Sequence, residues 1–379
     1  MAIMTVSQLR EGMVLIEDAY TASGSQMILP RGTRLDAQRI ARLAFYGVKQ
    51  VNAIAEQEAA AQGIESPDVT PVSALPAAPA IARPGAPEPS FGDRVKASPE
   101  FKKFKMDFED AFISYQRNIN EVIRTGKPLD MHAMTEPVYD LIHSCYGPSN
   151  VFDMLHQLRD YDDATYAHSI NVALIAHNIG EWMHLEEDDL ELLTQAGLLH
   201  DIGKVTLPHE LLNKQGDLTN EEKTRIRMHP QFGYKAIENQ KINQHVKNTV
   251  LMHHERNDGS GYPRHLKMDQ IDPVAKIVAI ADVYDAMTST RSYRKALSPF
   301  FVIEYIEEDA LQKYDAQAVL TFLENISGAY VGNRVRLSDG TEGEIIYVNK
   351  NRFSCPTIRS GAEFIDLDKR RELKIEALI

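Results

Sequence analysis

Cysteine is almost missing: Cys145 and Cys355 are the only two in 379 residues, too few for a disulfide framework or a thiolate cage around a metal. Any metal bound by this chain must rely on imidazole and carboxylate. Long apolar runs are missing too, and no uninterrupted stretch suffices to span a bilayer. The opening residues, MAIMTVSQLREGM, lack the basic start and apolar run of a secretory signal, so a cytoplasmic protein without a membrane span is expected. Basic charge is in deficit. Against 41 Lys and Arg stand 54 Asp and Glu, a net charge of -13, which argues against broad binding to nucleic acid or to an anionic membrane. An anionic substrate would need a local pocket of positive charge, supplied by a few basic side chains or by metal ions.

The length suggests two or three domains. Residues 1–55 alternate short apolar runs (Met13 to Ile16, Gln26 to Leu29, Val48 to Ile54) with one helix-like segment, Asp36 to Phe45, and read as a small α+β regulatory unit. Residues 56–98 are rich in Ala and Pro, hold seven of the 18 prolines, and read as a flexible tether. From 99 the apolar period becomes three and four: Phe101, Phe104, Phe108, Phe112, Tyr115, Ile119 and Val122 fall on one helix face. Helical signals continue to 325. Thr219 and Glu222 have capping-box spacing, and Pro299 suits the first turn of a late helix. Over 326–379 the runs Arg334 to Leu337 and Gly343 to Val348, split by Ser338-Asp339-Gly340, predict a small β module. The chain is therefore expected to be mainly α, with small β-containing pieces at either end.

Within the helical region His168, His200-Asp201, His229, His253-His254 and Asp282 follow one another at intervals of 24 to 32 residues. Such intervals let successive helices of a bundle each project one or two ligands into a shared centre. An Asp adjacent to a ligating His can bridge two ions, and two cations about 4 Å apart stabilise both oxygens of an in-line displacement at phosphorus. Spacing thus points to hydrolysis of a phosphodiester and no further. A lone His-Asp dipeptide is usually a surface or helix-end feature. Eight other histidines, His132, His143, His156, His177, His184, His209, His245 and His265, have no matching neighbours and are assigned to surface or core duty. Lys204, three residues past Asp201 and about one helical turn on, is placed to reach a bound phosphate or leaving oxygen. The plainer reading of Lys204 is a cation favoured by a helix C-terminus.

These motifs, in this order, closely resemble the HD-GYP domain, a bacterial branch of the HD phosphohydrolase superfamily. The resemblance spans about 150 to 325 and rests on His168-Ser169, the run HDIGK from His200 to Lys204, Leu218-Thr219 with His229, His253-His254-Glu255, the run DGSGYP from Asp258 to Pro263, and ADVYDAM from Ala281 to Met287. It implies an HD-type helical bundle that hydrolyses the second messenger cyclic di-GMP to pGpG, or onward to GMP, by attack of a metal-bridging hydroxide. It implies His168, His200, Asp201 and Asp282 as ligands of one metal and Asp201, His229, His253 and His254 as ligands of the other. Iron or manganese is favoured by the resemblance, whereas ligand chemistry alone suits zinc or nickel as well. Arg291 and Arg294 resemble the family's phosphate-holding basic pair, and Arg suits that task because its planar fork donates two hydrogen bonds at once. Tyr262 is a candidate to contact a guanine or a partner protein, a rigid packing loop being the alternative.

Three positions depart from the family pattern. Family members with a third metal carry a glutamate one turn before the first histidine, where this chain has Ala164; two metals are therefore expected, and a weak second cut from pGpG to GMP. Ser292 replaces the usual proline between Arg291 and Tyr293, and Lys313-Tyr314-Asp315-Ala316 replaces a glycine-rich segment. Two other functions compete with the hydrolase: a non-hydrolytic cyclic di-GMP receptor, and a phosphohydrolase acting on another nucleotide. Candidate associations are a protein partner, docked through the GYP loop or residues 1–55, and a homodimer.

Overall fold

The computed structural model describes residues 3–5, 9–10, 12–20, 27–29, 31–35, 40, 43, 48, 50–55, 91–144, 151–158, 164–214, 216–289 and 297–379. The chain divides into two compact units, Met1–Pro87 and Glu88–Ile379. In the first, β1 (Ile3–Thr5), β2 (Met13–Leu15), β3 (Ala19–Tyr20), β4 (Met27–Leu29) and β5 (Gln50–Ala55) form two small sheets, ordered β1-β5-β2 and β3-β4. All pairs are antiparallel. Leu15, Leu35 and Leu43 are fully buried and gather Val51 and Ala53 around them. Of the helix expected from Asp36 to Phe45, Ile40 and Leu43 are helical, and the rest lies outside the described residues, as do residues 56–90.

The second unit opens with α1 (Phe91–Ala97), α2 (Pro99–Thr125), α3 (Met131–Ser144), α4 (Val151–Gln157), α5 (Ala164–Trp182) and α6 (Glu187–Leu199). It continues through α7 (His209–Leu212), α8 (Asn220–Ile226), α9 (His229–Ile237), α10 (Gln244–Met252), α11 (Pro273–Thr288), α12 (Pro299–Lys313) and α13 (Ala316–Ala329). The expected tether to residue 98 is corrected at its end, because 91–97 are helical. Val95 supplies the reason: it is buried in the same core as α2 and α4.

The all-round apolar helix α5 forms the centre of the unit, with Ile170, Val172, Leu174, Ile175 and Ile179 fully buried. The similarly apolar α11 and the helix α6 pack against it. The amphipathic α2 closes one side. Ser98 caps its start, accepting from the Phe101 N–H at 3.1 Å, and Pro99 occupies its first turn. Its buried face carries Phe101, Phe104, Phe108, Tyr115, Ile119 and Val122 as the periodicity predicts, with Ala111 also buried there and Phe112 only half-buried. No described helix is long and apolar enough to cross a membrane.

A five-stranded antiparallel sheet follows: β6 (Arg334–Leu337), β7 (Glu342–Asn349), β8 (Arg352–Ser360), β9 (Glu363–Asp366) and β10 (Ile375–Leu378), in the order β10-β6-β7-β8-β9. The β6–β7 hairpin turns through Gly340, at φ 86°. Val335, Leu337, Ile345 and Ile358 enter the core shared with α12 and α13. Glu307 on α12 accepts from the backbone of Phe353 at 2.8 Å. The sheet is thus a continuation of the helical unit, and α13 runs to Ala329.

Candidate metal centre

Five separate helix ends and faces supply the site. His168 lies in the second turn of α5, and His200 caps the C-terminus of α6, after which Asp201 leads into a tight 3-10 turn, Ile202–Thr206. Gly203 makes that turn fit: a Cβ built there would lie 1.9 Å from the His229 carbonyl oxygen and 2.5 Å from the Gly233 nitrogen. Backbone therefore meets backbone, and the first residue of α9, His229, is set beside Asp201. The expected capping box starts α8, with Thr219 accepting from Glu222 N–H at 3.2 Å and Glu222 from Thr219 N–H at 2.8 Å. His253 caps α10 and His254 follows it, while Asp282 sits within α11, whose start is capped by Asp272. His168, His200, Asp201, His229, His253 and Asp282 are all buried.

The seven side chains fall into two ligand groups, His168, His200 and Asp282 on one side and Asp201, His229, His253 and His254 on the other. Asp201 stands between them. Its Oδ2 lies 3.2 Å from His200 Nε2 and 3.6 Å from His168 Nε2, and its Oδ1 lies 3.1 Å from His229 Nε2 and 3.7 Å from His253 Nε2. His168 Nε2 also reaches Asp282 Oδ1 at 3.0 Å. Donor atoms sharing one ion at about 2.1 Å must sit about 3 to 4 Å apart, so these separations suit a cation in each group.

Hydrogen bonding fixes which ring nitrogen faces inward. Nδ1 of His200 donates to Gly197 O at 2.7 Å, that of His229 to Ile226 O at 2.8 Å, and that of His253 to Thr249 O at 3.1 Å. Carbonyls only accept, so each neutral ring presents an Nε2 lone pair to the centre. His229 and His253 do so only 3.1 Å apart. His200 Nε2 and Asp201 Oδ1 are buried without a hydrogen-bond partner. Converging lone pairs with no donor are unfavourable unless a cation completes them, and the residues present fit one.

Electrostatics follows from the same burial. Burial alone would raise the Asp201 carboxyl, but Lys204 and the flanking histidines hold it well below the usual carboxylate range. Burial, aided by His200 and His229, pushes His253 down to about 4, and burial beside His253 holds His254 well below the ordinary imidazole value. Both stay neutral and ligand-ready near pH 7. His168 behaves differently: burial lowers it, but Asp282 and Asp285 more than offset this and raise it to about 9.

The HD domain family matches residues 154–318. A cyclic di-GMP phosphodiesterase of Pseudomonas aeruginosa is 30% identical over 93% of this chain and 83% of its own length. The chain belongs to the HD-GYP family. A cyclic di-GMP phosphodiesterase of Thermotoga maritima is 36% identical, over 46% of this chain and 48% of that relative. A 3'3'-cGAMP-specific phosphodiesterase of Vibrio cholerae is 34% identical, over 38% of this chain and 28% of that relative.

Around the candidate ligands of this HD-GYP chain stand Asp285 and Glu255, to which the sequence assigns no role. Asp285 accepts from His168 Nδ1 at 2.7 Å and from Asn171 at 3.0 Å, orienting the imidazole. Its signal was legible, since it lies three residues past Asp282 and so shares its helix face. Glu255, buried next to His254, accepts from the backbone of Arg264 at 2.6 Å and Leu266 at 2.9 Å, tying down the GYP loop. Within that loop a Cβ on Gly261 would meet the Glu255 Cα at 2.5 Å. The Tyr262 ring stacks on His254, centroids 4.6 Å apart, and its N–H donates to His254 O at 3.1 Å. Lys204 is ion-paired with Asp201 Oδ2. Arg291 and Arg294 lie outside the described residues, and Ala164 begins α5 one turn before His168.

Proposed function

We propose that this chain is a metal-dependent phosphodiesterase that cuts cyclic di-GMP to pGpG. The observation carrying this reading is the division of Asp201, with one carboxylate oxygen facing each ligand group at 3.1 to 3.7 Å. Asp201 would thus be available to two divalent ions at once, and the relatives of Pseudomonas aeruginosa and Thermotoga maritima, both named cyclic di-GMP phosphodiesterases, support the substrate. Bound there, two divalent cations supply Lewis-acid polarisation of the phosphoryl oxygens and a water acidified toward neutral pH. Iron or manganese is the preferred occupant.

The chain's own groups complete the chemistry. His168, His200 and Asp282 would hold one cation and His229, His253 and His254 the other, with Asp201 between them, and the burial of these side chains would keep bulk water from the ions. Lys204 holds a proton beside Asp201 and delivers it to the leaving oxygen. Lys204→Ala is expected to lower kcat about 10²-fold or more while both metals stay bound, with elemental analysis alongside rates as the check; an unchanged kcat rejects the proton-donor role. Arg291 and Arg294 are proposed to hold substrate phosphate.

Chromatography of products from the manganese- or iron-loaded chain incubated with cyclic di-GMP tests the reading. Appearance of pGpG supports it; binding without pGpG or GMP identifies a receptor instead. Competition with other cyclic dinucleotides, including 3'3'-cGAMP, tests substrate choice. Ala164 leaves no carboxylate one turn before His168, so pGpG is the expected end product. Ala164→Glu is expected to raise bound metal from two toward three ions per chain and to increase GMP; an unaltered stoichiometry counts against this role for position 164.

A further inference from the structure

Cyclic di-GMP carries two phosphodiesters, and a two-cation centre neutralises the one being cut. The other still brings a negative charge into a site already dense with Asp201, Asp282 and Asp285, on a chain of net charge -13. Arg291 and Arg294, proposed above to hold substrate phosphate, lie outside the described residues, and among those described three basic side chains act on the groups of the centre. Lys204 is committed to Asp201. Arg256 donates to the carbonyls of His253 at 3.1 Å and Glu255 at 2.9 Å and lies over the Tyr314 ring. Arg227 remains: it is exposed, and among the described residues its guanidinium meets neither a carboxylate nor a carbonyl.

Its position is nonetheless held. Arg227 closes α8 two residues before the ligand His229, and its guanidinium carbon sits 5.3 Å from the Tyr262 ring centroid, within cation–π range. That same ring stacks on His254. Arg227 is therefore one aromatic ring away from a metal ligand, with its donor fork open to solvent. Stacking restrains the long side chain before substrate arrives, which reduces the entropy lost on binding.

We propose that Arg227, steadied by Tyr262, binds the second, uncut phosphate of the cyclic dinucleotide. The assignment rests on the phosphodiesterase reading and deepens it. Tyr262 is then a positioning residue, and its ring links substrate recognition to the ligand-bearing end of α10.

The test compares the full manganese-loaded chain with Arg227→Ala and Arg227→Lys on two substrates, cyclic di-GMP and bis(p-nitrophenyl) phosphate, which has a single phosphate. Titration calorimetry gives the affinity for cyclic di-GMP separately from turnover. Arg227→Ala is expected to raise KM and Kd for cyclic di-GMP about tenfold or more, with a smaller effect on kcat. Its loss of kcat/KM on the single-phosphate ester should be several-fold less, and Arg227→Lys should recover part of the affinity. Equal losses on both substrates accompanied by lost metal overturn the assignment and give Arg227 a structural role. Unchanged KM and Kd in a wild-type background that binds or cleaves cyclic di-GMP overturn it as well. A wild-type chain that neither binds nor cleaves cyclic di-GMP defeats the phosphodiesterase reading itself, and the Arg227 assignment with it.

Discussion

Asp201→Ala is expected to abolish cyclic di-GMP hydrolysis, a loss of at least about 10³-fold, by removing the carboxylate whose two oxygens each face one ligand group. Bound metal should fall from two ions to one or none per chain. The helical fold should persist, because Asp201 contributes no apolar area to the core; its environment is His168, His200, His229, His253 and Lys204. Removing one buried charge from that set also leaves Lys204 without its partner, so some loss of stability is expected even where far-UV dichroism is unchanged. Elemental analysis, product chromatography and circular dichroism on one preparation separate these effects. Wild-type turnover by this variant, with two metals retained, would end the bridging mechanism. Asp201→Asn adds a sharper comparison, since the amide keeps the shape of the carboxylate but not its charge. It should resemble Asp201→Ala in activity and the wild type in packing.

The convergence of these seven side chains was readable because metal chemistry restricts residue type and helices restrict spacing. With thiolates excluded by two cysteines, histidines and aspartates at intervals of one helix and one loop were the remaining donors, and those same seven side chains converge. Boundaries were less legible. The Ala/Pro-rich composition masks α1, whose seven residues are anchored by Val95, a tertiary contact that local pattern does not encode. Strands β8, β9 and β10 were not anticipated individually, and neither was the core they share with α12 and α13, because a run such as Arg352–Ser360 states its alternation without its partner. The supporting residues divide in the same way. Asp285 was within reach, one turn from Asp282 on a predicted helix. The Tyr115 hydroxyl, which donates to the Leu198 carbonyl two residues before His200, and the Glu255 tether of the GYP loop depend on contacts made only after the chain folds back.

Gly203→Ala is expected to disable the centre without touching a ligand. The added methyl would stand 1.9 Å from the His229 carbonyl oxygen and 2.5 Å from the Gly233 nitrogen, both backbone atoms that a rotamer change cannot move. Relief requires the 3-10 turn and α9 to separate, and α9 carries His229 in its first turn. The cost of forcing apart packed backbone exceeds about 3 kcal/mol. The larger consequence is geometric, since a displacement of about 1 Å in a ligand or positioning group is enough to reduce catalysis about 10²-fold. The group formed by Asp201, His229, His253 and His254 should therefore lose its ion first, while His168, His200 and Asp282, held on α5, α6 and α11, keep theirs. A folded variant with one metal per chain and little turnover fits this order of events, and so does a chain that fails to accumulate in folded form. A Gly203→Ala protein with wild-type melting temperature, two metals and full activity would show that the turn and α9 are not in backbone contact. In that event the placement of His229 beside Asp201 would need another cause.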